Sequence, residues 1–196
     1  MMPRYALAAL GLLAGLAACT SVPAPTLYVL EAPAAAAPVK APPAFSGKRL
    51  AVALGPVSVP DYLDRTDIVR RASGNRLEIA ADERWAEPLR SGLQRLLIAV
   101  VAERLGPGYW VSAGSGRAGS IDVEVPVDIE AFEEDAAGQA VLTASWEVRE
   151  GTRLTRDRRS YRRAVASERV EDRVRALSAD AADLAADLAA AIARGR

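Results

Sequence analysis

Histidine is absent from the 196 residues, and cysteine occurs once, at Cys19. Without them the chain offers no His/Cys zinc site, no Ser-His-Asp triad and no Cys/His nucleophile pair. No catalytic residue, metal site or cofactor motif is read from the sequence. A single thiol also excludes a disulfide within the chain, so packing alone must hold the fold. Lysine appears only at Lys40 and Lys48, leaving arginine to carry nearly all positive charge. Lys+Arg and Asp+Glu both number 25, so the formal net charge is zero and there is no electrostatic case for binding nucleic acid. Aromatics are 5% of the residues, which makes each tryptophan worth locating.

Long apolar runs are missing too. Tyr5 to Ala18 is rich in Ala and Leu, but it falls short of the roughly 20 residues a membrane-spanning helix needs. It ends in Leu16-Ala17-Ala18-Cys19, with small residues directly before the thiol. This tetrapeptide resembles the lipobox of bacterial lipoproteins. The resemblance implies that residues 1–18 are a signal peptide and that Cys19 carries diacylglycerol, becomes the first mature residue and is then N-acylated. At about 0.8 kcal/mol per buried CH₂, two or three chains make a durable anchor where one does not. Thr20, rather than Asp, follows the cysteine. That implies the periplasmic face of the outer membrane of a Gram-negative bacterium, an oxidising compartment.

Beyond the anchor, residues 19–47 read as a lipidated N-terminus, a short strand at Leu27 to Leu30, and an Ala/Pro-rich spacer from Ala32 to Ala44 whose prolines block helix. Residues 48–196 suit one domain. Leu50 to Val59 is a largely buried strand bent at Gly55-Pro56. Ile68 to Arg71 and Arg76 to Ala80 flank Ser73-Gly74-Asn75 as a hairpin. Pro88 can open a helix, and Leu89, Leu93, Leu96, Leu97, Val100, Val101 and Leu105 keep helical spacing until Gly106-Pro107-Gly108. A short strand at Tyr109 to Val111 precedes a Gly/Ser-rich loop over 113–120 that should be mobile.

Ile121 to Ala131 alternates apolar with acidic residues, and after a turn at Ala136-Ala137-Gly138, Leu142 to Val148 alternates again, with Trp146 on the apolar face. A weaker third strand is expected over Arg158 to Ala166. Val170, Val174, Leu177, Ala181, Leu184, Leu188 and Ile192 mark a final helix whose other face is Asp, Arg and Ala. The domain is therefore α/β of the α+β kind, in the order β-β-β-α-β-β-β-β-α. One antiparallel or mixed sheet carries two long amphipathic helices on one face.

Three ordered strings stand out: Pro60-Asp61-Tyr62-Leu63-Asp64-Arg65, Ile68-Val69-Arg70, and Arg84-Trp85-Ala86-Glu87-Pro88-Leu89. With the lipobox, Tyr28-Val29-Leu30 and the Gly138 turn before Trp146, they resemble the ABC-transporter auxiliary lipoprotein family over most of the chain; Thr152 to Arg175 matches only loosely. The resemblance implies a non-enzymatic outer-membrane lipoprotein that docks an MCE-domain protein, works with an inner-membrane component, supports phospholipid or other lipid transport between membranes, and maintains envelope integrity. A homo-oligomer is compatible with it. The alternative is a lipid-anchored carrier that itself takes lipid or another small hydrophobic ligand into a pocket between helices and sheet.

Asp61, Tyr62, Leu63, Arg65, Trp85, Glu87 and Pro88 are thus candidate partner contacts. Chemistry alone reads Trp85 and Pro88 as a staple at a helix entry, and Asp61, Asp64 and Arg65 as turn-forming, ion-pairing residues. Asp128, Glu130, Glu133, Glu134 and Asp135 read as the solvated face of a strand. Arg153, Arg156, Arg158, Arg159, Arg162 and Arg163 form a basic run. Arg156, Arg158, Arg159, Arg162 and Arg163 are its candidate contacts for lipid headgroups or an acidic partner. The run's other reading is a solvated edge strand guarded by charge.

Overall fold

The computed structural model describes residues 24–33, 47–114 and 121–194. The lipobox, residues 34–44 of the expected spacer and residues 115–120 of the expected loop lie outside the described residues. Eight strands and two long helices follow in the order β1 (Thr26–Tyr28), β2 (Leu50–Ser58), β3 (Asp67–Ser73), β4 (Arg76–Trp85), α1 (Leu89–Leu105), β5 (Tyr109–Ser112), β6 (Val123–Glu134), β7 (Gln139–Glu150), β8 (Arg153–Ala164) and α2 (Val170–Ala193). From β2 onward this is the expected order, with β1 the short strand ahead of the spacer.

β6 is the hub of the mixed sheet. Along one edge it pairs antiparallel with β7, and β7 with β8. Its other edge is shared. The first half runs parallel to β2, which has β5 beyond it, and the far end meets β3 at Arg70↔Glu134, followed by β4 and β1. The period-two pattern of β6 makes this hub role possible: Val123, Val125, Val127 and Ile129 are buried while Glu124 and Asp128 are exposed.

The buried face of the sheet is continuous across strands, because registered partners share a face. Val52 pairs with Val123, Leu54 with Val125, Val127 with Trp146 and Ile129 with Ala144. α1 packs over β2 and β5, α2 over β6, β7 and β8, and the helices pack on each other. Both helices therefore cover one face. Leu93, Leu97 and Val101 of α1 and Leu184 and Leu188 of α2 have no exposed surface. Fully burying a side chain of this size contributes about 1.5–3 kcal/mol. Ala181 and Ala185, also fully buried, let α2 lie close to its neighbours. α1 starts behind Pro88 and stops at Gly106, whose φ of 72° suits glycine.

Three expectations are corrected. The third strand begins at Arg153, directly after the Gly151 turn, rather than at Arg158. It carries no apolar alternation, since its exposed edge and both faces are lined with charge, so hydrophobic pattern could not place its start. Second, Glu133 and Glu134 are not on a solvated face: both are buried. A bulge between Ile129 and Ala131 resets the phase of β6. Beyond it Phe132, Glu133 and Glu134 are all enclosed, the two carboxylates by arginine partners. Third, the Asp/Arg/Ala side of α2 is partly interior, with Arg173 and Asp180 buried.

Candidate functional site

The strings that carry the resemblance gather in one place, and they build structure there. Pro60 O accepts from Leu63 N at 2.9 Å and Asp64 N at 3.1 Å, closing the turn that links β2 to β3. Leu63 enters the core. Arg65 Nε donates to Asp67 Oδ2 at 2.8 Å, and Asp64 pairs with Arg90 at the start of α1. Asp61 is exposed. Trp85 N donates to Thr66 O at 2.6 Å, and the buried Trp85 ring meets Phe132 at 6.4 Å and 45°. Glu87 Oε1 accepts from Arg95 Nε at 3.0 Å and Nη2 at 2.7 Å; the same Nη2 donates to Leu30 O at 3.1 Å. Pro88 caps α1. These residues thus lock β1 and the segment after it onto β4 and α1.

Tyr62 is half-buried beside the Arg71–Glu133 pair, in which Arg71 Nε donates to Glu133 Oε1 at 2.6 Å. Burial first, then the Glu133 carboxylate, pushes the Tyr62 hydroxyl up to about 12. Glu133 Oε1 is held by Arg71, and Glu133 Oε2 is buried without a hydrogen-bond partner among the described residues.

The basic run divides between the two faces of β8. Toward α2, Arg159 reaches Asp187 at 2.9 Å, Tyr161 donates to the same carboxylate at 2.7 Å, and Arg163 spans Asp180 at 3.2 Å and Asp183 at 2.6 Å. On the opposite face, Arg156 holds Glu147 at 2.6 Å, Arg158 grips Glu130 through both Nε and Nη2, and Arg162 reaches Asp135 at 3.2 Å. Arg153 donates to Arg194 O at 3.4 Å. The guanidiniums hold Glu130 and Glu147 below the usual carboxylate range. Much of the run's charge is therefore spent within the chain, a property the sequence conceals because these acidic partners lie 9 to 28 residues away.

Between the strands of the helix-free face lies a trough of about 780 Å³. Pro56 of the Gly55-Pro56 bulge and Pro126 of β6 line it beside Asp128, Glu147, Arg149 and Arg156. Sequence reading noted the charges of β6 and β8 but missed Arg149, and missed that two bent, proline-bearing strands would stand side by side. The spacing of Gly55-Pro56 and Pro126 is a signal only once β2 and β6 are known to pair.

Asp180 is the other feature the sequence hid. It is 1% exposed, and burial raises its carboxyl to about 6 against the opposing pull of Arg163. It faces the α2/β8 seam and no trough. No group of three or more acidic side chains is placed to hold a metal ion among the described residues, and no helix there is long and apolar enough to cross a membrane.

Comparison with known proteins gives the fold and motifs a context. A family model described as "ABC-type transport auxiliary lipoprotein component" matches residues 28–189. Over 90 residues the chain is 33% identical to "Intermembrane transport lipoprotein PqiC" of Escherichia coli (strain K12), and equally to the protein of that name in Shigella flexneri. Each match covers 46% of this chain and 46% of the relative, so the chain spans about half the length of these curated relatives. Among solved structures, an uncharacterised protein superimposes with a TM-score of 0.72 at 22% identity, covering 87% of this chain and 99% of that one. A protein from Xanthomonas campestris gives 0.59 at 19%, covering 86% and 92%. At such identities the two structures show the fold alone.

Proposed function

Because the chain belongs to the ABC-type transport auxiliary lipoprotein family, we propose that it is the lipid-anchored, non-enzymatic subunit of an MCE-type transport system, held at the periplasmic face of the outer membrane by acyl chains on Cys19. There it docks the periplasmic MCE-domain component and supports lipid transport between the membranes and envelope integrity. The observation that carries this reading is the family match across residues 28–189, which takes in nearly all the described residues, joined to the lipobox ahead of it.

The tether's length supports it. Thr26 lies seven residues after Cys19, so even fully extended the segment reaches roughly 25 Å. The β1/β4 edge therefore stays close to the bilayer, and the Trp85, Glu87 and Arg95 contacts transmit that position to α1 and the sheet. A domain so held acts by where it stands and what it touches. The carrier reading requires a pocket between helices and sheet; that space is filled by Leu54, Leu93, Leu97, Leu142 and Leu184, all without exposed surface.

The test is co-isolation. The acylated full chain, extracted from envelopes in mild detergent, should bring down an MCE-domain protein of the same envelope. Correctly acylated chain that comes down alone counts against the proposal.

A further inference from the structure

The trough on the helix-free face has an uneven distribution of charge. Glu147 is shared by two guanidiniums: Arg149 donates Nε to Oε2 at 2.9 Å and adds Nη2 to the same oxygen, while Arg156 donates Nε to Oε1 at 2.6 Å. One carboxylate thus orients two arginines and neutralises only one of them. Arg149 Nη1 and both Nη groups of Arg156 make no hydrogen bond among the described residues, and Arg156 is 69% exposed. Arg158, by contrast, has a carboxylate to itself, its Nε and Nη2 both on Glu130.

One strand over, the imbalance has the opposite sign. Asp128 accepts the Ser58 hydroxyl and makes no ion pair among the described residues. It stands opposite Ser145, and Glu147 lies two residues further along the same face of β7. That diagonal is roughly 8 Å between backbones, within reach of a two-carbon spacer once the long arginine side chains are counted. Pro56 and Pro126 give the trough an apolar floor.

A surplus of positive charge, a surplus of negative charge and an apolar floor are complementary to a molecule carrying an ammonium, a phosphate diester and a hydrocarbon stem. We propose that the trough seats the zwitterionic headgroup of an ethanolamine phospholipid, phosphate between Arg149 and Arg156 and ammonium on Asp128, an assignment that rests on the lipid-transport reading above. Arginine's planar fork suits the phosphate oxygens, and Glu147 fixes the forks before the ligand arrives. Glu124, the cross-strand neighbour of Arg149, makes no ion pair with it and disfavours a headgroup with added negative charge. The trough is open, so the seat touches the headgroup and does not enclose the acyl chains.

The test uses the acylated full chain in detergent, titrated by NMR with glycerophosphoethanolamine, glycerophosphoglycerol or inorganic phosphate while the arginine Nε–H signals are followed. Glycerophosphoethanolamine should move Arg149 and Arg156 and bind more tightly than the other two probes. Asp128→Asn should weaken it about tenfold and leave glycerophosphoglycerol unchanged, whereas Arg156→Gln should weaken both. Both substitutions are at exposed positions, and an unchanged melting temperature checks the fold. Binding unaffected by either substitution overturns the proposal, as does inorganic phosphate binding as tightly as glycerophosphoethanolamine. Co-isolation with the MCE-domain protein separates the two levels. If the headgroup fails to bind while the partner still comes down, the trough assignment falls and the docking reading stands; if the headgroup binds and the partner does not come down, the trough assignment stands and the docking reading falls.

Discussion

Asp180 Oδ1 accepts from Arg163 Nε at 3.2 Å across the seam between α2 and β8, while its second oxygen is buried without a hydrogen-bond partner among the described residues. Burial lifts this carboxyl from 3.8 to about 6, with Arg163 opposing and Asp183, one turn along α2, adding to the rise. The folded state therefore holds the proton more tightly than the unfolded chain does. The resulting stabilisation is complete below about pH 4 and is lost as pH rises through about 6. Asp180→Asn stays neutral throughout, so its stability relative to wild type should increase between pH 4 and pH 7 by about 2–3 kcal/mol. Urea unfolding of both proteins across that range measures the difference; a flat difference contradicts the assignment.

Arg173 and Glu134 form an ion pair in which both partners are buried, joining the first turn of α2 to the end of β6. Arg173→Ala leaves Glu134 charged and enclosed, and should destabilise the domain by about 3–5 kcal/mol. Replacing both partners together, with Arg173→Met and Glu134→Leu, should recover most of that loss. A double-mutant cycle by chemical denaturation checks it, with additive single effects as the contrary result.

Much of this architecture was legible because one face of each element had a single job. Val123 to Ile129 alternates, Leu89 to Leu105 and Val170 to Ile192 keep helical spacing, and Gly138, with φ of 73°, makes the turn that Asp135 closes by accepting from Ala137 N and Gln139 N. What was hidden depends on long-range partners. A bulge at Ile129/Ala131 leaves no mark in composition, so Glu133 and Glu134 read as solvated until Arg71 and Arg173 are brought to them. β8 has no hydrophobic period because ion pairs on both faces take the place of apolar contacts. That Trp85 would be a packing residue was legible from its place before α1, but its partner Phe132 was not, and the Pro56/Pro126 lining of the trough required the β2/β6 register.

Trp85 packs on Phe132 with 5% of its surface exposed. Trp85→Ala should therefore lower stability by about 3–5 kcal/mol, read as a drop in Tm. Unchanged melting combined with loss of the MCE-domain partner would make it a contact residue instead.

Cys19→Ala removes the proposed acylation site and leaves every described contact in place. The expected outcome is a folded domain, with the wild-type melting temperature, that moves from the membrane fraction to the soluble periplasm. Equal membrane association of the two proteins contradicts the anchor.

The proposed role as a tethered docking subunit is tested most directly by cross-linking in intact cells. Wild-type acylated chain should give a covalent adduct containing the cognate MCE-domain protein, identified by mass spectrometry, and Cys19→Ala should yield far less of it. A correctly acylated chain that never reaches an MCE-domain protein under conditions where other envelope complexes are captured would contradict the account.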